Sequence, residues 1–209
     1  MKLKRILTCL LIVVFAFGIL GCNVKGNPPT NQNVVDDYKL YLNETFNSTN
    51  DLSDCQGYRN WYYYCGDPEN NTLASMVFNS FSGRWCSEYQ NLDKETYIWG
   101  TAWLPSPNGG IGMGFKAPAT GKLSVKVKIK LLGDSNAPLG DGVVFTMSDY
   151  NGEAYDGKSI QSAKAGIEYV LENTISVKIN DSILFMLFAN TNNTNDYTSV
   201  DITIKYLQN

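Results

Sequence analysis

Hydrophobic and polar residues alternate most clearly in the second half of the chain. In KLSVKVKIKLL, Leu123, Val125, Val127, Ile129 and Leu131 take every second position, with Lys122, Ser124, Lys126, Lys128 and Lys130 between them. A period of two sends one set to a buried face and the other to solvent, so this is a strand with its lysines outward. YTSVDITIKYL repeats the pattern through Val200, Ile202, Ile204 and Tyr206, and GVVFTMS is a further β-rich run. NTISVKINDSILFMLFANT divides into two strands around the turn Asn180, Asp181 and Ser182. Gly, Asn, Asp and Pro punctuate these runs, with Pro118 and Gly121 at the entry to the lysine-lined strand. Only VVDDYKLYLNETF has room for a short helix. The pattern predicts an all-β domain, an antiparallel β-sandwich of jelly-roll type.

The first residues follow a different logic. Lys2, Lys4 and Arg5 precede an uncharged apolar run from Ile6 to Gly21, the layout of an export signal and shorter than the roughly 20 residues that span a bilayer. Ile19, Leu20, Gly21 and Cys22 resemble the lipobox of bacterial lipoproteins, which implies cleavage after residue 21 and acyl chains on Cys22. Residues 22–36 are Asn-rich and broken by Gly26, Pro28 and Pro29, and they read as a lipidated N-terminus with a flexible tether. Residues 37–209 are then one sandwich domain, long enough for a single core. The expected location is the outer side of a membrane, held by the lipid anchor. The whole chain carries −3, and losing the leader's three cations takes the exported part to −6, which argues against a nucleic-acid partner.

Three cysteines remain in the exported domain. Cys65 with Cys86 is the favoured disulfide and Cys55 with Cys65 the alternative, since exported thiols tend to oxidise. There is no histidine, which removes Ser-His-Asp, Cys-His and ordinary zinc chemistry. A pair of carboxylates would still serve a glycosidase, but the spacing of Asp67, Glu69, Glu88 and Asp93 singles out no acid and base.

Aromatic residues crowd one region. Trp61, Trp85, Trp99 and Trp103 fall there, together with Tyr62, Tyr63, Tyr64, Tyr89 and Tyr97. If RNWYYYC is a strand, Trp61, Tyr63 and Cys65 share one face and Tyr62 and Tyr64 the other. A buried Cys65 makes the first set core and leaves Tyr62 and Tyr64 outward. Trp99 and Trp103 sit beside Gly100, Pro105 and Pro107, a loop-like setting that makes them the expected outward pair. Trp85 joins this set of ligand-binding candidates, with Arg84 and Asp67 as polar partners.

The order WYYY, RWC, YIWGTAWLPSP, FKAPATGKLSVKVKI, GDGVVFTMSDYNG and ISVKINDSILFMLFANTNNTNDYTSVDITIKY resembles the β-sandwich modules that accompany bacterial carbohydrate-active enzymes, over about Tyr58 to Tyr206. Phe115 stands where such modules commonly carry a tryptophan before the Ala-Pro pair. The resemblance implies a non-catalytic module that binds a polysaccharide or other glycan through exposed aromatic rings. A surface lipoprotein that contacts another protein, or has a structural role, is the alternative. A histidine-free enzyme acting on glycosides is the lesser one.

Two further features follow from charge. The outward lysines suit a solvated sheet face guarding an edge, with an anionic polymer as the rival ligand. Asp141, Asp149, Asn190, Asn192 and Asp196, in GDGVVFTMSDYNG and ANTNNTNDY, are hard oxygen donors for a structural Ca2+, although neither loop has the spacing of an EF-hand and such residues also belong in turns. No other cofactor is expected.

Overall fold

A computed structural model of the chain describes residues 37–87, 96–132, 141–155, 160–163 and 166–208. The leader, the tether and Cys22 lie outside these residues, as do Glu88, Tyr89 and Asp93. Two antiparallel sheets pack face to face. The larger has eight strands: β1 (Phe46–Asn47), β4 (Val77–Asn79), β5 (Arg84–Cys86), β6 (Tyr97–Trp99), β7 (Ala102–Leu104), β9 (Gly121–Leu131), β12 (Glu168–Val177) and β14 (Thr198–Tyr206). Its order is β12-β9-β14-β7-β6-β5-β4, with β1 beside β14. The smaller has six strands: β2 (Trp61–Gly66), β3 (Ala74–Ser75), β8 (Gly110–Lys116), β10 (Val143–Ser148), β11 (Ile160–Ala163) and β13 (Ser182–Ala189). These run in the order β11-β10-β13-β8-β2-β3. The sandwich expected from the alternating pattern is therefore present. The segment with room for a helix contains a 3-10 turn, Tyr38–Tyr41, capped by the Asp37 carboxylate accepting from the Lys39 N–H. Among the described residues no helix is long and apolar enough to cross a membrane.

The two strands expected around Asn180 do not form a hairpin; β12 lies in the larger sheet and β13 in the smaller. The turn between them changes sheets. Asn180 adopts a positive φ of 71°, and the Asp181 carboxylate accepts from the Lys178 N–H. The turn is pinned to the other sheet-changing connection by paired backbone bonds between Ala117 and residues 180 and 181. Apolar inner faces on both sides of these turns hold the two sheets at packing distance.

Trp61, Phe115, Phe145 and Phe185 from the smaller sheet meet Trp103, Val127, Ile129 and Ile202 from the larger one, all within one buried cluster. Trp61 and Phe115 meet edge to face at 5.2 Å. Tyr63 stacks on Trp85 at 4.1 Å and 11°, and the Trp85 Nε1–H donates to the Ser53 carbonyl. Gln56 fills the place of a missing strand beside Tyr63: its side-chain amide donates to the Tyr63 and Met76 carbonyls and accepts from the Tyr63 N–H.

The lysines of β9 do face outward, as alternation requires, but β9 is interior to its sheet, between β12 and β14, so they guard no edge. Register places Lys126 opposite Glu172, Lys130 opposite Glu168 and Lys128 opposite Asp201. Lys126 and Glu172 form an exposed ion pair at 2.6 Å.

Neither expected disulfide forms. Cys65 and Cys86 are free thiols, and no bridge joins two of the described cysteines. Cys65 points into the core from β2, whereas Cys86 shares the outward face of β5 with Arg84. Burial raises the pKa of both thiols.

Candidate functional site

The aromatic candidates separate according to strand register. β6 and β7 are joined by the two residues Gly100 and Thr101, which pairs Trp99 with Ala102 and Ile98 with Trp103. Partners across a ladder share a face, so Trp99 and Trp103 lie on opposite faces. Trp99 is 56% exposed and Trp103 is 0% exposed. The expected outward pair thus reduces to Trp99. Trp85 is likewise core, because the alternation of β5 turns it inward while Arg84 and Cys86 turn out. Both corrections have the same source: the loop-like glycines and prolines conceal short strands whose parity decides which ring is wet.

Trp99 keeps one of its predicted partners. The Arg84 guanidinium lies 4.2 Å from the Tyr97 ring centre and 5.2 Å from that of Trp99, a cation–π arrangement on the outer face of the larger sheet. The Tyr97 and Tyr197 hydroxyls are hydrogen-bonded at 2.8 Å, which joins this patch to the segment entering β14.

Tyr62 and Tyr64 occupy the outer face of the smaller sheet, as the alternation of WYYYC predicts. Their rings stack at 6.5 Å and 22°, and Tyr150 meets Tyr64 edge-on at 6.2 Å while remaining 51% exposed. The floor beneath them is glycine. A Cβ on Gly114 would lie 2.7 Å from Tyr64 Cε2, one on Gly112 would meet Met186 Sδ at 2.6 Å and the Phe185 carbonyl, and one on Gly110 would lie 2.7 Å from Phe188. The glycines therefore let large side chains lie flat across the strand. Tyr64 is buried enough for its hydroxyl to be pushed up to about 12, burial being the main cause and Tyr150 and Tyr62 the next, so it stays neutral at physiological pH.

A cleft of about 310 Å³ opens on this same face, lined by Asp67, Glu69, Val144, Thr146, Gly152 and Phe188 among others. Two turns form its walls. In the first, the Asp67 carboxylate accepts from the Glu69 N–H at 2.9 Å and from the Asn70 side-chain amide at 2.6 Å. In the second, the Asp149 carboxylate accepts from the N–H groups of Asn151 and Glu153. Gly152 sits against Glu69, so the turns touch. Asp67 thus belongs to the tyrosine face, not to the Trp99 patch, and serves both its turn and the cleft wall. Sequence reasoning missed Tyr150, Thr146 and Phe188. Tyr150 carried a usable signal, an aromatic residue at the tip of an Asp-Tyr-Asn-Gly turn.

The oxygen donors also separate. Asp149 is satisfied within its own turn at one end of β10, and Asp141 lies at the other end. Around Asp141 the chain from Asn190 to Asp196 folds back: the Asp141 carboxylate accepts from the N–H groups of Thr191 at 2.7 Å and Asn192 at 3.2 Å, and its carbonyl accepts from the Asn190 side chain. Asp196 is 0% exposed. Its carboxyl is pushed up to about 7, first by burial and then by the charge of Asp141. Among the described residues no cluster of three or more Asp, Glu, Cys or His side chains is placed to hold a metal.

The chain matches no protein-family profile and no curated protein. Among solved structures it resembles the GH26-CBM35 β-(1,4)-mannanase of Podospora anserina, with a TM-score of 0.35 and 9% identity over 71% of this chain and 28% of that one. It also resembles Pika GITRL, with a TM-score of 0.31 and 9% identity over 70% of this chain and 97% of that one. The chain thus spans little more than a quarter of the mannanase. Likeness this distant carries no argument about function.

Proposed function

We propose that this protein is a membrane-anchored, cell-surface, non-catalytic glycan-binding module, held by acyl chains on Cys22 and reading its ligand on the outer face of the smaller sheet. The observation that carries the reading is the terrace of Tyr62, Tyr64 and Tyr150 beside a cleft walled by Asp67, Glu69 and Thr146. Pyranose rings present flat patches of C–H groups that pack on aromatic faces, while their hydroxyls need acceptors and donors at the rim. This face offers both. Trp99 and Arg84 on the larger sheet make a second, smaller aromatic surface suited to a neighbouring stretch of polymer.

The purified protein on a glycan array tests the reading. Tyr150→Ala should abolish the array signal while leaving the melting temperature unchanged, and Trp99→Ala should weaken it. A blank array with the unaltered protein, or full retention by a Tyr150→Ala, Trp99→Ala double variant, would exclude aromatic sugar recognition. Reducing ends appearing on incubation with polysaccharides would instead make the protein an enzyme. The protein-interaction reading has its own support in Phe81, 100% exposed at the tip of the β4–β5 turn, and in Val77, exposed at the other end of the edge strand β4. It would be favoured by a stoichiometric protein complex lost in Phe81→Ser.

A further inference from the structure

We infer that the cleft on the smaller sheet reads the unsubstituted hydroxyls of an uncharged sugar through Glu69 and Thr146, and turns away sugars that carry carboxylate or sulfate. This rests on the glycan reading and names the class of glycan. The cleft has two kinds of lining. Val144 and Phe188, register partners on β10 and β13, give it apolar contact along the outer face. Its polar groups are not equivalent. The Asp67 carboxylate already accepts from the Glu69 N–H and the Asn70 amide, so it is occupied in holding its turn. The Ser148 hydroxyl donates to the Asp149 carbonyl. The Glu69 carboxylate and the Thr146 hydroxyl, by contrast, have no hydrogen bond or ion pair among the described residues. The second turn packs on the Glu69 stem: a Cβ on Gly152, at a φ of +87°, would lie 3.0 Å from Glu69 Cγ and 3.1 Å from its backbone nitrogen. A braced side chain thus carries the free carboxylate at the cleft wall.

Donor chemistry selects the ligand. No lysine, arginine or side-chain amide lines the cleft, so apart from hydroxyls its side chains offer acceptors only. A neutral sugar is the complement: its edge carries O–H donors for Glu69 and Thr146, and its face carries C–H groups for Val144 and Phe188. A uronate or a sulfate ester is itself negative and acceptor-only. It would face Glu69 and Asp67 with no donor to replace the water it gives up, and an acceptor desolvated without a donor loses more than a hydrogen bond contributes. An amine on the sugar adds little, because Glu69 is exposed and an exposed ion pair is weak in water.

The experiment is affinity electrophoresis of the purified protein through gels containing neutral polymers (glucomannan, xyloglucan, laminarin), acidic ones (polygalacturonate, alginate, chondroitin sulfate) or chitosan, with a melting curve for each variant. Retention is expected in at least one neutral gel and in no acidic gel. Glu69→Gln and Thr146→Val should each weaken that retention about tenfold or more. Their melting temperatures should not change, since neither side-chain polar group is bonded within the fold. An O-methylated form of the retained polymer keeps its C–H faces and loses its O–H donors, and it should not be retained; this reads the same contact without a variant. Retention in acidic gels, retention on chitosan alone that salt abolishes, retention of the methylated polymer, or full retention by a folded Glu69→Gln, Thr146→Val double variant would each overturn the inference and leave aromatic recognition standing. Retention in none of the gels would overturn both.

Discussion

The outer faces of the two sheets are built on opposite principles. On the larger sheet, β9 sets Lys122, Lys126, Lys128 and Lys130 in solvent, the last three opposite acidic residues of β12 and β14. On the smaller sheet, the corresponding face of β8 and β13 carries Gly110, Gly112 and Gly114 beside Leu184, Met186 and Phe188, with Leu184 and Met186 fully buried beneath the covering tyrosines and turns. One face exchanges freely with water. The other is a second, shallow core, and a shallow core ending in half-covered rings is where a flat ligand can complete the packing.

The comparison can be broken first at Trp103. It lies on the inner face shared by both sheets, and Trp103→Ala should cost about 3–5 kcal/mol in urea unfolding, against less than about 0.5 kcal/mol for Trp99→Ala on the outside. Equal effects would mean that register does not separate the two rings. Next comes Gly112→Val, expected to cost about 3 kcal/mol, because its Cβ is directed at the Phe185 backbone, which cannot rotate aside as a side chain can. A tolerated valine there would show that the tyrosine-covered face is as loosely packed as the lysine face.

An effect of similar size should appear with pH. Asp196, with Asp141 as its charged neighbour, titrates near 7 in the folded protein and near 3.9 when unfolded. Between those values the folded state holds a proton that the unfolded state has released, so stability should fall as pH rises from about 4 to 7 and then level off. Below the unfolded value both states are protonated and the contribution is complete. Urea midpoints measured across this range should slope downward for the unaltered protein and flatten in Asp196→Asn. The same slope in both would place the titrating group elsewhere.

The contrast between the faces also explains what the sequence disclosed. A half-buried strand records its environment residue by residue, and β9, β14 and the WYYYC strand were legible for that reason. GIGMGF was not: three glycines lower strand propensity, and their purpose is to admit rings from β2 and β13, partners far away in sequence. SILFMLF was readable as a strand, but its continuous apolar run does not reveal that β12 and β13 part into different sheets. Trp99 and Trp103 failed at a finer scale. Their faces depend on a two-residue turn, and moving it by one position would invert both. The oxygen donors lie between, since Asp141, Asp149 and Asp196 were all visible as donors, and only the fold set Asp149 at the far end of β10 from Asp141.

The smallest expected effect is on the lysine face. Lys126 pairs with Glu172 at 2.6 Å, and that hydrogen bond and charge hold the Glu172 carboxyl below its ordinary pKa. Both side chains are nonetheless open to solvent, where attraction is screened and ordering two long chains costs entropy. Lys126→Ala should therefore leave the unfolding midpoint unchanged at low and at high salt, and glycan retention should be insensitive to salt in the unaltered protein. A salt-dependent loss of retention, deepened by Lys126→Ala, would move the ligand to the larger sheet and make it an anionic polymer. The lysines would then be a binding surface, and the covered face of the smaller sheet would be packing alone.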